Sequence, residues 1–477
     1  MQLTQASHSD TESADVGPLT RLARLFAPHR DGLPLRRQGG RVCEVTMSHV
    51  NVSGLQRHVE LGSCVEVETT AGPATGEVIA IHADVATIKL FGASTRLSLG
   101  ATAWLRDELS ISPTPHWLGR VVNALGEPID GLGPLHPGAE PLPLDREPIA
   151  AMELDRVRVP IATGIRVIDL FTPICAGQRI GIFAGAGVGK TTTISMLARA
   201  RGFDTIVVAL VAERGREVRE FIEDAIGTNR PRTLTVVSSS SESPMMRKLS
   251  AKTAMTAAEY FRDRGDKVLL ILDSLTRFAH AQREIALAAG EPPVARGYAP
   301  SVFIELPRLL ERAGPGRPGS GSITGVFSVL VDGDDHNEPV ADAIRGILDG
   351  HIVLDRNIAD QGRYPAIDPL SSISRLALQA WSREEAELIR RLKTMIARYE
   401  ESRDLRALGA YKPGVDPELD QAVAVTPLLY RAMLQGPEDS MTENAFGALA
   451  SLLAGLRNSP TAKPPAEQSI AAARGNV

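Results

Sequence analysis

Apolar residues along this chain follow more than one period, and the changes of period divide it. Residues 41–105 hold short β-like runs: Val42, Val45, Val50 and Val52, then Cys64-Val-Glu-Val-Glu68, Gly76-Glu-Val-Ile-Ala-Ile81, Val85-Ala-Thr-Ile-Lys-Leu90 and Thr95-Arg-Leu-Ser-Leu99. Gly54, Gly62, Gly72-Pro73 and Gly92 interrupt them at close spacing, the pattern of a small β-barrel or sandwich. A connector rich in Gly and Pro follows, from Leu118 to about Pro148. Beyond it lie continuous apolar runs at 179–183, 204–212, 234–238, 267–273, 325–331 and 351–354, which read as buried strands. Helical stretches separate them, the clearest at 246–262. From 384 to 403 the period becomes helical, with Leu388, Ile389, Leu392, Ile396 and Tyr399 on one stripe, and the segments 428–434 and 446–456 continue it. The expected division is a mobile N-terminal segment (1–38), a barrel (39–105), an α/β domain (106–380) and a helical C-terminal domain whose tail from 460 is disordered (381–477). Within the first segment, residues 18–27 form a short helix with Leu19, Leu22, Leu25 and Phe26 on one face and Arg21 and Arg24 on the other. It is either a tail that packs on the next domain or a helix for a partner or a membrane surface.

The first buried run of the α/β domain, Arg179-Ile-Gly-Ile-Phe183, enters a Gly-rich turn, and a helix starts at Lys190-Thr191. Gly185, Ala186, Gly187, Val188 and Gly189 form a phosphate loop whose successive N–H groups curl around phosphate oxygens, aided by the positive end of the helix. In that reading Lys190 reaches the β- and γ-phosphates, Thr191 ligates Mg²⁺ and Thr192 lies beside it. Ala184 stands where the usual pattern has its first Gly. The second run ends in Glu213-Arg214, at the carboxyl end of a strand where functional residues gather. Glu213 can polarise an attacking water, and Arg214 can touch the γ-phosphate or hold Glu213; the alternative is a surface charge pair opening the next helix. The run Lys267-Val-Leu-Leu-Ile-Leu-Asp273 has the Walker B pattern and offers Asp273 to Mg²⁺ opposite Thr191. Ser274, Thr276 and Arg277 follow at the position of a γ-phosphate sensor. The acidic stretch 332–339 lacks calcium-loop spacing and reads as a subunit-contact loop, and His336 within it has no partner His.

Composition narrows the function classes. The chain has 477 residues, 43% of them hydrophobic and 23% charged, as in an ordinary globular protein. A net charge of −5 gives no bulk basic field for nucleic acid. The barrel also lacks the aromatic platforms and basic groove of an oligonucleotide binder, so an RNA translocase is disfavoured. Three scattered cysteines form no metal or disulfide spacing and fit a reduced, cytoplasmic compartment. No apolar run is long enough to span a bilayer and no secretion signal is evident, so any membrane contact would be peripheral.

Three stretches together carry a resemblance: Phe183-Ala-Gly-Ala-Gly-Val-Gly-Lys-Thr191, Asp273-Ser-Leu-Thr-Arg-Phe-Ala-His-Ala-Gln-Arg-Glu284 and Pro365-Ala-Ile-Asp-Pro-Leu-Ser-Ser-Ile-Ser374, with Gly346-Ile-Leu-Asp-Gly-His-Ile-Val-Leu354 beside them. Over residues 40–460 the chain resembles the ATPase family of type III protein export, related to the subunits of rotary ATP synthases. Ala184 is usual in that family. The resemblance implies a RecA-type P-loop core between an N-terminal barrel and a C-terminal helical domain, with ATP and Mg²⁺ bound at the interfaces of a homohexamer. It aligns Glu213 with the catalytic glutamate, Arg375 with the arginine finger of the neighbouring subunit and Tyr364 with the tyrosine that stacks on adenine. Met433 stands where related chains often carry a Phe as the second wall of the adenine pocket. The acidic shaft-contacting motif of rotary catalytic subunits is not visible in 381–460, which favours export over ATP synthesis, and Glu213 favours hydrolysis over a non-hydrolysing ring subunit. Residues 329–348 look most like flagellar enzymes of alpha-proteobacterial type, with a virulence secretion ATPase as the alternative. Expected partners are a stator-type regulator on the N-terminal segment, a central stalk, the export gate at the inner face of the cytoplasmic membrane, and export chaperones and substrates, with no nucleic acid.

Overall fold

The computed structural model describes residues 37–92, 96–331, 338–442 and 444–458. The expected helix at 18–27, the tail from 460, and residues 332–337 of the acidic loop with His336 lie outside the described residues. The chain falls into two compact units, divided near residue 107.

The first unit is a closed six-stranded barrel. Its strands run in the order Gly39–Val45, Val50–Ser53, Val85–Leu90, Ala74–Ile81, Cys64–Val67 and Thr102–Leu105, which returns to the first. Val50, Val52, Val65, Val67, Ile88 and Ala103 fill its interior. The alternation of these residues with polar ones satisfies one wet and one dry face, and closure leaves no bare strand edge. Over its described residues the strand expected at 95–99 does not form: residues 96–99 are irregular, and Leu99 is exposed. Gly100, at φ 81°, turns the chain so that Thr102–Leu105 becomes the closing strand. Trp104 donates to Glu68 at 3.0 Å and Arg106 pairs with Glu66 at 2.6 Å across it.

The second unit is built on a nine-stranded sheet. Along it lie Ile373–Ser374, Gly350–Leu354, Arg179–Ala184, Ser322–Leu330, Lys267–Asp273, Thr205–Glu213, Thr233–Ser239 and Val121–Val122, with Gly314–Pro315 off the path beside Ser322–Leu330. Every pairing along the path is parallel except that of Ile373–Ser374 with Gly350–Leu354. All nine residues of Thr205–Glu213 are buried, which is why the sequence shows an unbroken apolar run there rather than alternation. The helix Pro244–Asp263 packs on four of the central strands and supplies a buried stripe that includes Leu249, Ala254 and Phe261. In the same unit, Arg383–Glu401, Pro417–Met433 and Ala445–Asn458 form the C-terminal helices. Ser382 and Glu385 cap the first of these reciprocally, and Leu392, Ile396, Leu429 and Ala432 are buried between them and the sheet domain.

A buried ion pair ties the helix Pro244–Asp263 to the connector. Arg312 donates to both carboxylate oxygens of Glu259 at 3.0 and 2.9 Å and to the Leu144 carbonyl at 2.8 Å, with both side chains almost fully enclosed. Removing Arg312 takes away both of its bonds to Glu259 and leaves that carboxylate the longer contact with Arg146 at 3.3 Å in a nearly dry site. Arg312→Met is therefore expected to destabilise the protein by about 3 kcal/mol, read as an earlier denaturant unfolding midpoint. The double variant Arg312→Met/Glu259→Leu should recover most of the loss. A single variant as stable as the parent would show that the pair carries no weight.

Candidate functional site

The parallel strands bring their carboxyl ends to one edge of the sheet, and the chemistry-bearing residues gather there. The strand Arg179–Ala184 leads into the glycine loop, and the helix Lys190–Ala198 leaves it. Gly187 and Gly189 have φ of 78° and 92°, a region that side-chain-bearing residues rarely adopt, so the loop needs glycine at these two positions. Ala184 is different. It is the last residue of the strand and pairs in register with Leu330 and Leu354. A methyl group is compatible with that extended conformation, which explains why Ala replaces Gly at that position without disturbing the turn.

Lys190 points its ammonium at Asp273, and the two form an ion pair. Ser328 donates to the same carboxylate oxygen at 2.6 Å. The register explains this contact: Leu272 pairs with Phe327, so the next residue of each strand, Asp273 and Ser328, meet at the edge. Thr191 and Thr192 are exposed toward the cleft. Thr191 and Asp273 offer hydroxyl and carboxylate oxygens, hard donors of the kind Mg²⁺ takes, with phosphate and water to complete its shell. Among the described residues no group of three or more His, Cys, Asp or Glu side chains is arranged to hold a metal by itself.

Glu213 ends the strand Thr205–Glu213 after a break in register beyond Leu210. Ala212 just before it has φ 54°, an uncommon conformation for alanine that turns the end of the strand. The guanidinium that meets Glu213 belongs to Arg277, on the helix Leu275–Ala288. Arg277 also donates to the Val211 carbonyl at 3.4 Å. Arg214, expected either to hold Glu213 or to reach the phosphate, is largely exposed and pairs with Glu217 at 3.3 Å. Burial pushes the Glu213 carboxyl up to about 7; a hydrogen bond with Glu217 adds to this, and Arg277 opposes it. Lys190, Thr191, Thr192, Glu213, Arg214, Glu217, Asp273 and Arg277 line one cleft of about 840 Å³.

Tyr364 stands beside the loop, its ring 3.6 Å from where a Cβ on Gly189 would sit, and it is half exposed. Met433 and Leu434 lie next to it around a small gap shared with Val167 and Tyr430. Met433 is thus beside the tyrosine where the second wall was sought. Arg375 is elsewhere. Its N–H donates to the Asp349 carbonyl at 2.9 Å, and Asp349 pairs with Arg179, the first residue of the loop strand. The six-residue strand Arg179–Ala184 separates that point from the glycine loop, about 20 Å at ordinary strand rise. The chain therefore does not bring Arg375 to its own cleft. Its side chain is exposed and makes no hydrogen bond or ion pair among the described residues.

A family model for the ATP synthase alpha/beta family, nucleotide-binding domain, matches residues 164–374, and one for the T3SS EscN ATPase C-terminal domain matches 381–450. The flagellum-specific ATP synthase of Agrobacterium fabrum is 51% identical over 456 residues, covering 95% of this chain and 96% of that protein. The chain belongs to the family of flagellar and type III secretion ATPases. It is an ATP-hydrolysing enzyme of that family, with a nucleotide-binding core. Among solved structures, the assembled ATPase EscN of enteropathogenic E. coli superposes with a TM-score of 0.81 at 36% identity, covering 87% of this chain and all of that one. EscN in complex with its central stalk EscO gives 0.78 at the same identity and coverage. No described helix is long and apolar enough to cross a membrane.

If Glu213 works as a carboxylate, its raised pKa sets the pH dependence of turnover. The proton is lost as pH rises through about 7, so kcat/KM is expected to climb across that range and level off above it. Steady-state hydrolysis between about pH 5.5 and 8.5 reads this directly. A rate flat across the whole range would remove Glu213 from the step.

Proposed function

We propose that this ATPase hydrolyses Mg²⁺-ATP to drive the export of flagellar proteins through the type III apparatus, working as a homohexameric ring. The carrying observation is the division of the site: Lys190, Asp273, Glu213 and Arg277 converge on one cleft, whereas Arg375 stands free at the other end of the sheet. The glycine loop and Lys190 hold the phosphates, and Thr191 and Asp273 hold Mg²⁺. Glu213 orients the attacking water, restrained by Arg277. Arg375 reaches the γ-phosphate of the neighbouring subunit and meets the charge that develops there. Tyr364 stacks on the base.

The flagellar reading is supported by 51% identity to the Agrobacterium flagellar relative, against 42% to the type 3 secretion system ATPase of Xanthomonas euvesicatoria. A central stalk is proposed as a partner because EscN is seen with EscO. A regulator on the N-terminal segment, the export gate, and chaperones with their cargo complete the partners, at the cytoplasmic face of the membrane. The test is direct. Purified protein should release phosphate from ATP only with Mg²⁺. Glu213→Gln should lower kcat by about 10²-fold or more with an unchanged circular dichroism spectrum, and should fail to restore swimming to a strain lacking the gene. Unaltered turnover in Glu213→Gln would refute the role given to that residue.

A further inference from the structure

The C-terminal helices are joined to the nucleotide domain through a short strap, residues 434–438, that runs from the end of Pro417–Met433 to the rim of the cleft, where Pro437 and Glu438 line it. We propose that Gln435 is a positioning residue that fastens this strap, and with it the base side of the nucleotide site. The proposal rests on the reading of the cleft as the ATP site.

Gln435 is 3% exposed. Its Oε1 accepts from the Arg166 N–H at 2.9 Å, its Nε2 donates to the Gly164 carbonyl at 2.7 Å, and its own N–H donates to the Tyr364 carbonyl at 2.9 Å. The partners fix which end of the amide faces which: the carbonyl end meets a donor and the NH₂ end an acceptor. Gln435 thus joins three segments that lie far apart in sequence: its side chain grips residues 164–166, and its main-chain N–H holds the Tyr364 carbonyl. The platform it grips is itself rigid. Half-buried Asp169 accepts from the N–H groups of Thr163 and Gly164, both at 2.9 Å, and from the Thr163 hydroxyl at 2.7 Å.

Two arginines hold the strap on either side of Gln435. Arg166 donates its guanidinium to the Leu434 carbonyl. Arg199, at the end of the phosphate-loop helix, donates to the Pro437 carbonyl at 2.6 Å. The gap between Tyr364, Met433 and Leu434 holds only about 20 Å³, far less than a purine. A base therefore meets the open face of Tyr364, whose backbone is set by the Gln435 N–H. Loss of the Gln435 amide leaves the Arg166 N–H and Gly164 carbonyl buried without partners, and the strap and Tyr364 shift together. The phosphate loop, on the other side of Tyr364, keeps its own contacts.

Base-side and phosphate-side binding separate with two probes, ADP and inorganic tripolyphosphate, titrated calorimetrically in Mg²⁺ into the full chain. Gln435→Ala removes the amide. Gln435→Glu keeps its size and the acceptor for Arg166 but cannot donate to Gly164 when ionised. Both variants are expected to bind ADP about tenfold more weakly and tripolyphosphate within about twofold of wild type, with the KM for ATP raised more than kcat is lowered. ADP affinity equal to wild type in both variants would overturn the proposal. So would an equal loss of both probes, which marks a purely structural residue. If wild type itself binds neither probe, the ATP-site reading falls, and the role of Gln435 falls with it.

Discussion

The parallel register of the central strands is the constraint on which the site depends. Asp273, Ser328, Glu213 and the glycine loop are neighbours because four parallel strands lie side by side with their carboxyl ends at one edge. Leu210 lies opposite Asp273 and Leu272 opposite Phe327, so the residues at the strand ends meet at one edge. A slip of one residue would turn every side chain of a strand to the other face and separate Asp273 from Lys190. The burial of these strands, and the helix that packs on them, make such a slip expensive. Stability and the placement of charge are therefore one problem here: the apolar runs that hold the sheet also fix the ends on which the chemistry stands.

The same register divides the site between molecules. Arg375 is tied through Asp349 to the beginning of the loop strand, and the cleft lies at its end. No side chain spans that length, so a role for Arg375 in phosphoryl transfer requires a second copy. An interface that sets the arginine end of one copy against the cleft of the next is heterologous, and such contacts close into rings when the rotation permits. The strap at 434–438 gives the C-terminal helices a route to the base side of the cleft, distinct from the phosphate side. Nucleotide occupancy and the position of those helices can therefore be coupled through a few hydrogen bonds rather than through the whole core.

Much of this was legible in the amino-acid order. The barrel, the glycine loop, the buried strands and the helical C-terminal stripe each follow a local period, and local periods survive into the fold. The single departure in the loop, Ala184, resolved once its residue proved to be strand rather than turn. Legibility failed where partners are chosen by tertiary register. Between two arginines near Glu213 in space, the sequence-adjacent Arg214 faces solvent while Arg277, 64 positions away, meets the carboxylate. Ser328 is a lone polar residue in the run Gly325-Val-Phe-Ser-Val-Leu-Val331, a signal that can be found but not interpreted without the neighbouring strand. The closing barrel strand lay three residues beyond the last visible alternation because Gly100 turns the chain first. No local period points to the bonds of Gln435, since its partners are set by the docking of the C-terminal helices.

A shared active site is tested most directly by mixing Lys190→Ala and Arg375→Ala proteins. Each alone should be inactive, because every interface lacks one of the two cations. In randomly mixed rings about one interface in four joins an intact Lys190 to an intact neighbouring Arg375, and phosphate release should return to roughly a quarter of wild type. Mixed rings that form but remain as inactive as either parent would contradict a cleft completed by the next subunit.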